Sequence, residues 1–468
     1  MRKIFALILS LALIFQIGIQ ASAQFNAPEL TREEWDNIYT SDINKNNLPT
    51  LNVGADETSV SLCWHSAKEK AIAEVRVSKS SDMSDCVVYK GINTDAETEE
   101  QLVSRVTVSG LEENTCYYYQ WNTGDGWSET CRYETKSFGS HKAIVVGDIQ
   151  IAEDYRTDGP SQSDIGFTWN NVLAEALKKN PDISYLVSPG DNTSTGKTVK
   201  EWQTLLMPEA LRSLPIALAI GNHDKKGMMY NYYTNMPNEY YGKYFSGLDR
   251  DFWFRHDDVL YLFFDSTSGN APDHMAFAKD AVSLNKDAKW RIAVVHHGIY
   301  GAGDSIGDLE TELLLTTIFA PIFETYDLDL VITGHTHSQG RSHFMESRKV
   351  IAKAESGKTY KNPEGIIYLN SNSVCEKVIM DYEAEHLAYS FIENDVTTYS
   401  TLEFKDNSLT LKTFRGDNSL LLDSVTIEKD IVQEDETFEK HVKRLTYKVV
   451  EFAGFVYTMI DNLVRKFG

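Results

Sequence analysis

The stretch Ile216-Ala217-Leu218-Ala219-Ile220-Gly221-Asn222-His223-Asp224 joins an apolar run directly to a polar loop. The apolar part predicts a buried strand, and the glycine predicts a turn at its end. The same arrangement recurs four times: residues 142–146 before Gly147-Asp148-Ile149-Gln150, 183–187 before Gly190-Asp191-Asn192, 291–295 before His296-His297, and 328–332 before Gly334-His335-Thr336-His337. Open α/β sheets bind ligands beyond the carboxyl ends of their strands. The five signatures are therefore predicted to meet in one cleft.

The residue types in these signatures indicate a hydrolytic site with two metal ions. Such a site needs a bridging ligand, hard carboxylate oxygens and imidazoles. Asp191 is the expected bridge, and the other ligands form two sets: Asp148 with His337 for the first metal, and Asn222, His296 and His335 for the second. Loop histidines without a metal are the alternative, which five ordered signatures disfavour.

The composition is that of a folded, acidic protein. The chain has 468 residues, of which 42% are hydrophobic and 24% charged, and its formal net charge is −23. This length is sufficient for two or three domains, each with its own core. The negative charge argues against nucleic acid and anionic membranes as partners, because contacts to phosphates need Lys and Arg. A small phosphorylated substrate remains compatible with it if metal ions supply local positive charge.

The first residues predict export. Arg2-Lys3 precedes an apolar run over residues 4–19, and Ala21-Ser22-Ala23 fits a cleavage pattern, so residues 1–23 are interpreted as the signal peptide of a secreted, periplasmic or cell-surface protein. An uncleaved anchor is the alternative.

Export makes disulfides possible. Four cysteines lie in the N-terminal part of the chain: Cys63, Cys86, Cys116 and Cys131. They allow three pairings that the sequence does not separate, and Cys375 is left over.

Hydrophobic periodicity divides the rest of the chain. Residues 48–138 alternate with period two in short segments, which predicts an all-β sandwich acting as a scaffold. Over residues 141–430 strands alternate with helical stretches and end in antiparallel strands. In the tail, 434–468, apolar residues recur at spacings of three and four, which predicts an amphipathic helix. Docking on the protein's own surface, self-association and attachment to a membrane all remain open for this helix.

The order of the five signatures resembles that of the calcineurin-like metallophosphoesterases. Tyr117 follows Gly110-Leu111 in the manner of a fibronectin type III tyrosine corner, and with this domain in front the chain is most similar to the purple acid phosphatase branch. The resemblance covers about residues 48–428. It implies a fold of α+β and α/β character, a β-sandwich metallophosphoesterase core flanked by helices and preceded by an all-β fibronectin type III-like sandwich.

The resemblance also implies a reaction and further roles. Two metal ions, Fe, Mn or Zn, would hold a hydroxide that attacks the phosphorus of a phosphate ester in line, a monoester more than a diester. Asn222 and His223 would face the substrate, and His223 would orient the phosphate or protonate the leaving oxygen. The family's register makes His296, rather than His297, the ligand. Three other residues complete the candidate set: Asp224 as the partner of the His223 ring or a simple turn carboxylate, and His297 and Arg341 as further substrate contacts.

Two positions depart from the family's pattern. Ser194 stands where purple acid phosphatases have a tyrosine bound to ferric iron, so we expect a colourless protein. Gln150 stands where the wider family often has histidine, and its neutral carbonyl oxygen would hold the first metal less firmly. Two alternatives to a phosphomonoesterase remain: a phosphodiesterase of the same fold and, because of these two departures, a catalytically weak surface-binding protein.

Overall fold

The computed structural model describes residues 25, 27–152, 160–242, 250–300, 309–375, 389–393 and 396–430. The predicted signal peptide at 1–23 and the predicted amphipathic helix at 434–468 lie outside these residues, and both stay predictions. Within the described part of the chain, no helix has the length and apolarity that crossing a membrane requires.

The described residues form helices and strands in an alternating order. The helices are α1 Arg32–Asp42, α2 Gln162–Lys179, α3 Val199–Leu206, α4 Met229–Tyr233, α5 Ala271–Leu284 and α6 Leu309–Thr325. Short 3-10 helices cover Glu209–Arg212 and Asp224–Lys226. The first strands are β1 Thr50–Val53, β2 Ser59–Ala67, β3 Glu74–Ser78, β4 Val87–Lys90, β5 Ile92–Asp95, β6 Gln101–Ser109, β7 Cys116–Trp121 and β8 Cys131–Glu134. The others are β9 His141–Val145, β10 Ile183–Ser188, β11 Ile216–Leu218, β12 Phe252–His256, β13 Val259–Phe264, β14 Trp290–Val295, β15 Leu330–Thr333, β16 Gln339–Ser342, β17 Phe344–Glu346, β18 Lys349–Ala352, β19 Lys358–Lys361, β20 Ile367–Asn370, β21 Tyr389–Glu393, β22 Thr398–Lys405, β23 Ser408–Arg415 and β24 Leu421–Glu428.

Strands β1 to β8 fold as the predicted all-β sandwich. One sheet has the order β4-β3-β7-β8, and β1, β2, β6 and β5 are neighbours in the facing sheet. Alternate residues of β2 and β7, among them Leu62, Trp64 and Tyr119, point into the shared core. The hydroxyl of Tyr117 accepts a hydrogen bond from the backbone N–H of Glu112 at 2.8 Å. The tyrosine corner expected here is therefore confirmed.

The N-terminal sandwich shares a sheet with the domain that follows it. Strand β1 pairs in parallel with β11, which joins eleven strands in the order β19-β24-β23-β22-β9-β10-β11-β1-β2-β6-β5. The Asn52 side chain reinforces the junction: Nδ2 donates to the carbonyl of Ile216 at 3.1 Å, and Oδ1 accepts from the N–H of Asn235 at 2.9 Å. The predicted scaffold is thus part of the sheet that carries three of the five signatures.

The second domain is a sandwich of two sheets with helices outside. The second sheet has the order β12-β13-β14-β15-β20-β16-β21, and its strands β13, β14, β15 and β20 run parallel. Tyr261 and Phe263 of β13 face the eleven-stranded sheet, whereas Leu262 and Phe264 pack with α5 and α6. Because both faces of this sheet are covered, its four parallel strands consist mainly of apolar residues. The predicted β-sandwich core flanked by helices is confirmed.

None of the five cysteines forms a disulfide, so none of the three pairings considered from the sequence is present. Cys63 and Cys131 are buried in the N-terminal sandwich. Burial raises the pKa of each of these two thiols to about 11, which keeps them protonated and unreactive at neutral pH. The N-terminal sandwich is therefore held by its apolar core.

Candidate metal centre

The five signatures meet where five strands end. Strands β9, β10 and β11 of one sheet and β14 and β15 of the other each lead into their polar loop. The turns are tight, and five site residues have positive φ, between 40° and 73°: Asp148, Gln150, Asp191, His335 and His337. A residue other than glycine holds this left-handed conformation only where surrounding contacts impose it, and such residues concentrate at functional sites.

Glycines in the signatures allow the loops to approach one another. A Cβ on Gly221 would lie 2.1 Å from Oδ1 of Asp191, and one on Gly334 would lie 2.4 Å from Oδ2 of Asp148. Both distances are far inside van der Waals contact, so a side chain at either position would displace a carboxylate. The glycines are required here because a carboxylate from another strand lies against their backbone.

The predicted ligands of the second metal bring their donor atoms together. Nε2 of His296 lies 3.2 Å from Oδ2 of Asp191 and 2.9 Å from Oδ1 of Asn222. Nδ1 of His335 lies 3.1 Å from the same Asn222 oxygen. Ligand atoms of Asp191, His296 and His335 all lie within 4.8 Å of one another. Imidazole nitrogens with carboxylate and amide oxygens suit Zn, Mn or Fe, so this donor set fits the expected ion.

Asp148 and His337 lie beside this group. Oδ1 of Asp148 is 3.6 Å from Nε2 of His337, and both Asp148 oxygens accept from the backbone N–H of His335, at 3.0 and 3.1 Å. Gln150 makes a contact that differs from its predicted one: its Nε2 donates to Oδ2 of Asp191 at 3.2 Å. Gln150 thus acts as a hydrogen-bond donor to the expected bridge, and its role as a ligand stays a prediction.

The electrostatics of the site favour a bound cation. Burial raises the pKa of Asp148 to about 8 and that of Asp224 to about 6, and in both cases the charge of Asp191 adds to the effect. Burial opposes the charged form of His296, but Asp191 and Asp148 outweigh it and raise the pKa of His296 to about 9. The pKa of Asp191 is lowered: burial opposes its charge, but His296 outweighs burial. Three buried carboxylates thus lie close together with little positive charge beside them, and bound metal cations would neutralise their negative charge.

The predicted contact between Asp224 and the His223 ring is wrong. Nδ1 of His223 lies 2.6 Å from the carbonyl oxygen of Ser194 instead. The Asp224 carboxylate is completely buried and accepts five hydrogen bonds at 3.0 to 3.1 Å, from the N–H and side chain of Asn192, the N–H and hydroxyl of Thr193, and the N–H of Gly221. Asp224 therefore joins the loop that carries Asp191 to the loop that carries Asn222.

Replacing Asp224 by asparagine is expected to destabilise the protein by about 2–3 kcal/mol. Each oxygen of Asp224 receives at least two donors, so an amide NH₂ in place of either oxygen would face donors and leave them unsatisfied. Urea denaturation of the metal-free protein measures the change. Asp280→Asn, which makes the same substitution at an exposed site, serves as the control. An unchanged midpoint in Asp224→Asn would show that the joined loops do not depend on this carboxylate.

His297 and Arg341, the two other residues predicted to contact substrate, lie in different surroundings. Nδ1 of His297 lies 2.8 Å from the Ser266 hydroxyl, and its ring centroid is 4.5 Å from that of His335, so it borders the metal ligands and stays a candidate. Arg341 is completely buried. Its guanidinium pairs with Asp423, one contact being 3.1 Å, and donates to the carbonyl of Ala354 at 3.0 Å. The prediction that Arg341 binds substrate is wrong, because its charge is used inside the fold.

Sequence reasoning missed the loop after β20. Ser373 forms a bridge with Gly147, and its hydroxyl donates to the carbonyl of Asp148 at 2.8 Å. The signal was present, because the apolar strand Ile367–Asn370 is followed by Ser371-Asn372-Ser373. Ser194, at the position of the family's tyrosine, donates to the carbonyl of Gln150 at 3.1 Å. Both serines hold the backbone of the loop that carries Asp148.

Known proteins share both parts of this architecture. The family model described as calcineurin-like phosphoesterase matches residues 141–339, and the model of the purple acid phosphatase N-terminal domain matches residues 47–135. Purple acid phosphatase 1 from Ipomoea batatas is 24% identical over 306 residues, which are 60% of this chain and 61% of that protein. The match thus spans about three fifths of the relative's length.

Among solved structures, the purple acid phosphatase PPD1 from seeds of yellow lupin, Lupinus luteus, is similar with a TM-score of 0.65 and 15% sequence identity. The likeness covers 82% of this chain and 75% of that one, and at this identity it shows the fold. The strand order, the two domain matches and the donor group agree with one another. Residues 141–339 are therefore similar to calcineurin-like phosphoesterase domains, and residues 47–135 to the N-terminal domain of purple acid phosphatases.

Proposed function

We propose that this chain is an exported, metal-dependent phosphohydrolase that cleaves phosphate esters, monoesters in preference to diesters. The observation that carries the proposal is the convergence of Asp191, Asn222, His296 and His335, which contacts of 2.9 to 3.2 Å link into one group. The domain matches support the reaction class. The preference for monoesters is supported by the similarity to purple acid phosphatases, and export by the apolar N-terminal run that ends at Ala21-Ser22-Ala23.

The chain's own residues suit two cations. Asn222, His296 and His335 would hold one ion, Asp148 and His337 the other, and Asp191 would be shared between them. When bound, such a pair neutralises phosphate oxygens and activates the attacking water. Gln150, which donates to Asp191, would keep the shared carboxylate oriented or turn its oxygen to the first ion. Iron, manganese and zinc all fit this mixture of oxygen and nitrogen donors.

His223 is the proposed residue for the leaving group. Its Nδ1 lies 2.6 Å from the Ser194 carbonyl, which accepts only if Nδ1 carries a proton. Nε2 is then the ring nitrogen available to the substrate. A proton on Nε2 can pass to the leaving oxygen as the ester bond breaks, whereas an unprotonated Nε2 can only accept a hydrogen bond. The Ser194 carbonyl thus sets the ring orientation that was attributed to Asp224 from the sequence.

The proposal is tested by turnover of 4-nitrophenyl phosphate and bis(4-nitrophenyl) phosphate, with Mn²⁺, Zn²⁺ or Fe supplied to metal-free protein. We expect metal-dependent turnover that is faster with the monoester. Asn222→Ala and His335→Ala should lose metal and turnover together while the far-UV circular dichroism is retained. If the folded protein turns over neither ester with any metal, the proposal fails and a surface-binding role becomes the better account.

A further inference from the structure

Two consecutive lysines follow the Asn222-His223-Asp224 signature at the edge of the metal centre. The chain as a whole has 68 Asp and Glu against 45 Lys and Arg, so a pair of cations here runs against its general charge balance. Lys225 and Lys226 belong to the short 3-10 helix Asp224–Lys226. Neither lysine is one of the predicted metal ligands or takes part in the proposed reaction.

The backbone beneath these lysines is fixed by the same loops as the metal centre. The N–H of Lys225 donates to the carbonyl of Gly221 at 3.1 Å, and that of Lys226 to the carbonyl of His223 at 3.2 Å. Gly196, with φ of +60°, lies so close that a Cβ there would be 2.1 Å from the carbonyl oxygen of Asp224. The backbone positions of Lys225 and Lys226 are therefore fixed relative to His223.

Lys226 reaches the His223 ring on the side away from Nε2. Its Nζ lies 2.9 Å from Nδ1 of His223, the nitrogen that also lies 2.6 Å from the Ser194 carbonyl. The carbonyl needs a proton on Nδ1, whereas the ammonium needs a lone pair there, so both contacts cannot be hydrogen bonds at once. The shorter contact, to Ser194, favours the proton on Nδ1. The exposed ammonium then has no acceptor in the ring and is available to an anion.

Lys225 adds a second positive charge nearby. Its Nζ lies 3.4 Å from Oδ2 of Asp265, whose side chain is completely buried, and the lysine side chain keeps 33% of its surface exposed. Asp265 also accepts from the N–H of Thr267 at 2.9 Å, so its charge is shared with other donors. Asp265 thus anchors Lys225 beside the site without closing it off from solvent.

From this arrangement we propose that Lys226, with Lys225 as a weaker support, binds a second anionic group on the leaving group of the substrate. The inference rests on the proposed function, because His223 marks the leaving-group side only if it faces the ester oxygen. An anion on the leaving group would then lie beyond that oxygen, toward Nδ1 and the Lys226 ammonium. Preferred substrates are accordingly phosphate monoesters whose leaving group carries a carboxylate or a second phosphate.

Matched substrates test this inference. 3-Phosphoglycerate and glycerol 3-phosphate differ in a carboxylate on the leaving group, and glucose 1,6-bisphosphate and glucose 1-phosphate differ in a second phosphate. The metal-loaded full chain should show the higher kcat/KM for the anionic member of at least one pair, and which pair responds identifies the preferred anion. In Lys226→Gln the ratio of kcat/KM within that pair should fall about five- to tenfold, mainly through KM. The expected fall in Lys225→Gln is smaller.

Lys200→Gln removes the same charge from an exposed position on α3 and should keep the wild-type ratio. A wild-type ratio near one for both pairs would overturn the inference and leave the proposed function standing. The same holds for a Lys226→Gln variant that keeps the wild-type ratio or loses it no more than Lys200→Gln. Failure of the wild-type protein to hydrolyse any of the four esters and 4-nitrophenyl phosphate would overturn the proposed function and the inference together.

Discussion

Asp191→Asn is expected to lower kcat/KM for a phosphate monoester by at least about 10²-fold, with a matching loss of bound metal. Asp191 contacts both halves of the site: Oδ2 faces His296 at 3.2 Å and Gln150 at 3.2 Å, and Oδ1 accepts from the N–H of His223 at 2.8 Å. An amide nitrogen at this position cannot bind a cation. The shape of the side chain is kept, so the loss reports the ligand oxygen and its charge.

Turnover of 4-nitrophenyl phosphate and metal content per chain measure the effect in the same preparation. Asp280→Asn, at an exposed position on α5, is the matched control and should keep both. Circular dichroism checks that Asp191→Asn is folded. Wild-type metal content together with wild-type turnover in Asp191→Asn would show that this carboxylate is not needed to bind the metal ions.

Asp423→Asn is expected to destabilise the fold by about 3–5 kcal/mol, because it removes the charge of the carboxylate that pairs with the buried Arg341 guanidinium. Arg341→Met should cost a similar amount, since it leaves the Asp423 carboxylate unpaired. The double replacement Arg341→Met with Asp423→Asn should recover part of the loss, as both charges are then gone. Urea denaturation midpoints of the four proteins give the coupling between the two residues.

Turnover per folded molecule separates this structural role from the role in substrate binding predicted for Arg341. Under conditions where Arg341→Met is folded, its KM and kcat should stay within about twofold of wild type, because the guanidinium pairs with Asp423 and donates to the carbonyl of Ala354 inside the fold. A large rise in KM in the folded variant would instead show that Arg341 contributes to substrate binding.

The elements that could be predicted from sequence are those that depend on local pattern. Five apolar runs, four of them followed by a glycine, lead into polar residues and indicated five strand ends, and the structure brings their side chains together. The period-two segments likewise predicted the N-terminal sandwich and its tyrosine corner at Tyr117. In these cases a short run of consecutive residues is enough to predict both that a strand is buried and where it ends.

The features that were missed depend on partners distant in the chain. The pairing of β1 with β11 joins Asn52 to Ile216, and no local pattern in either strand indicates the other. Arg341 was expected at the substrate from the family resemblance, and its partner Asp423 lies 82 residues away. Asp224 follows His223 directly, but the turn directs its carboxylate to Asn192 and Thr193. Adjacency in sequence did not predict contact in space.

Two cations are expected to bind between the ends of β9, β10, β11, β14 and β15. Anomalous diffraction from crystals of the protein soaked in Mn²⁺ tests this expectation most directly. We expect two anomalous peaks, one bounded by Asn222, His296 and His335 and one by Asp148 and His337, with Asp191 between them. A structure with Mn²⁺ bound elsewhere, or with no peak among these side chains at a saturating concentration, would contradict it.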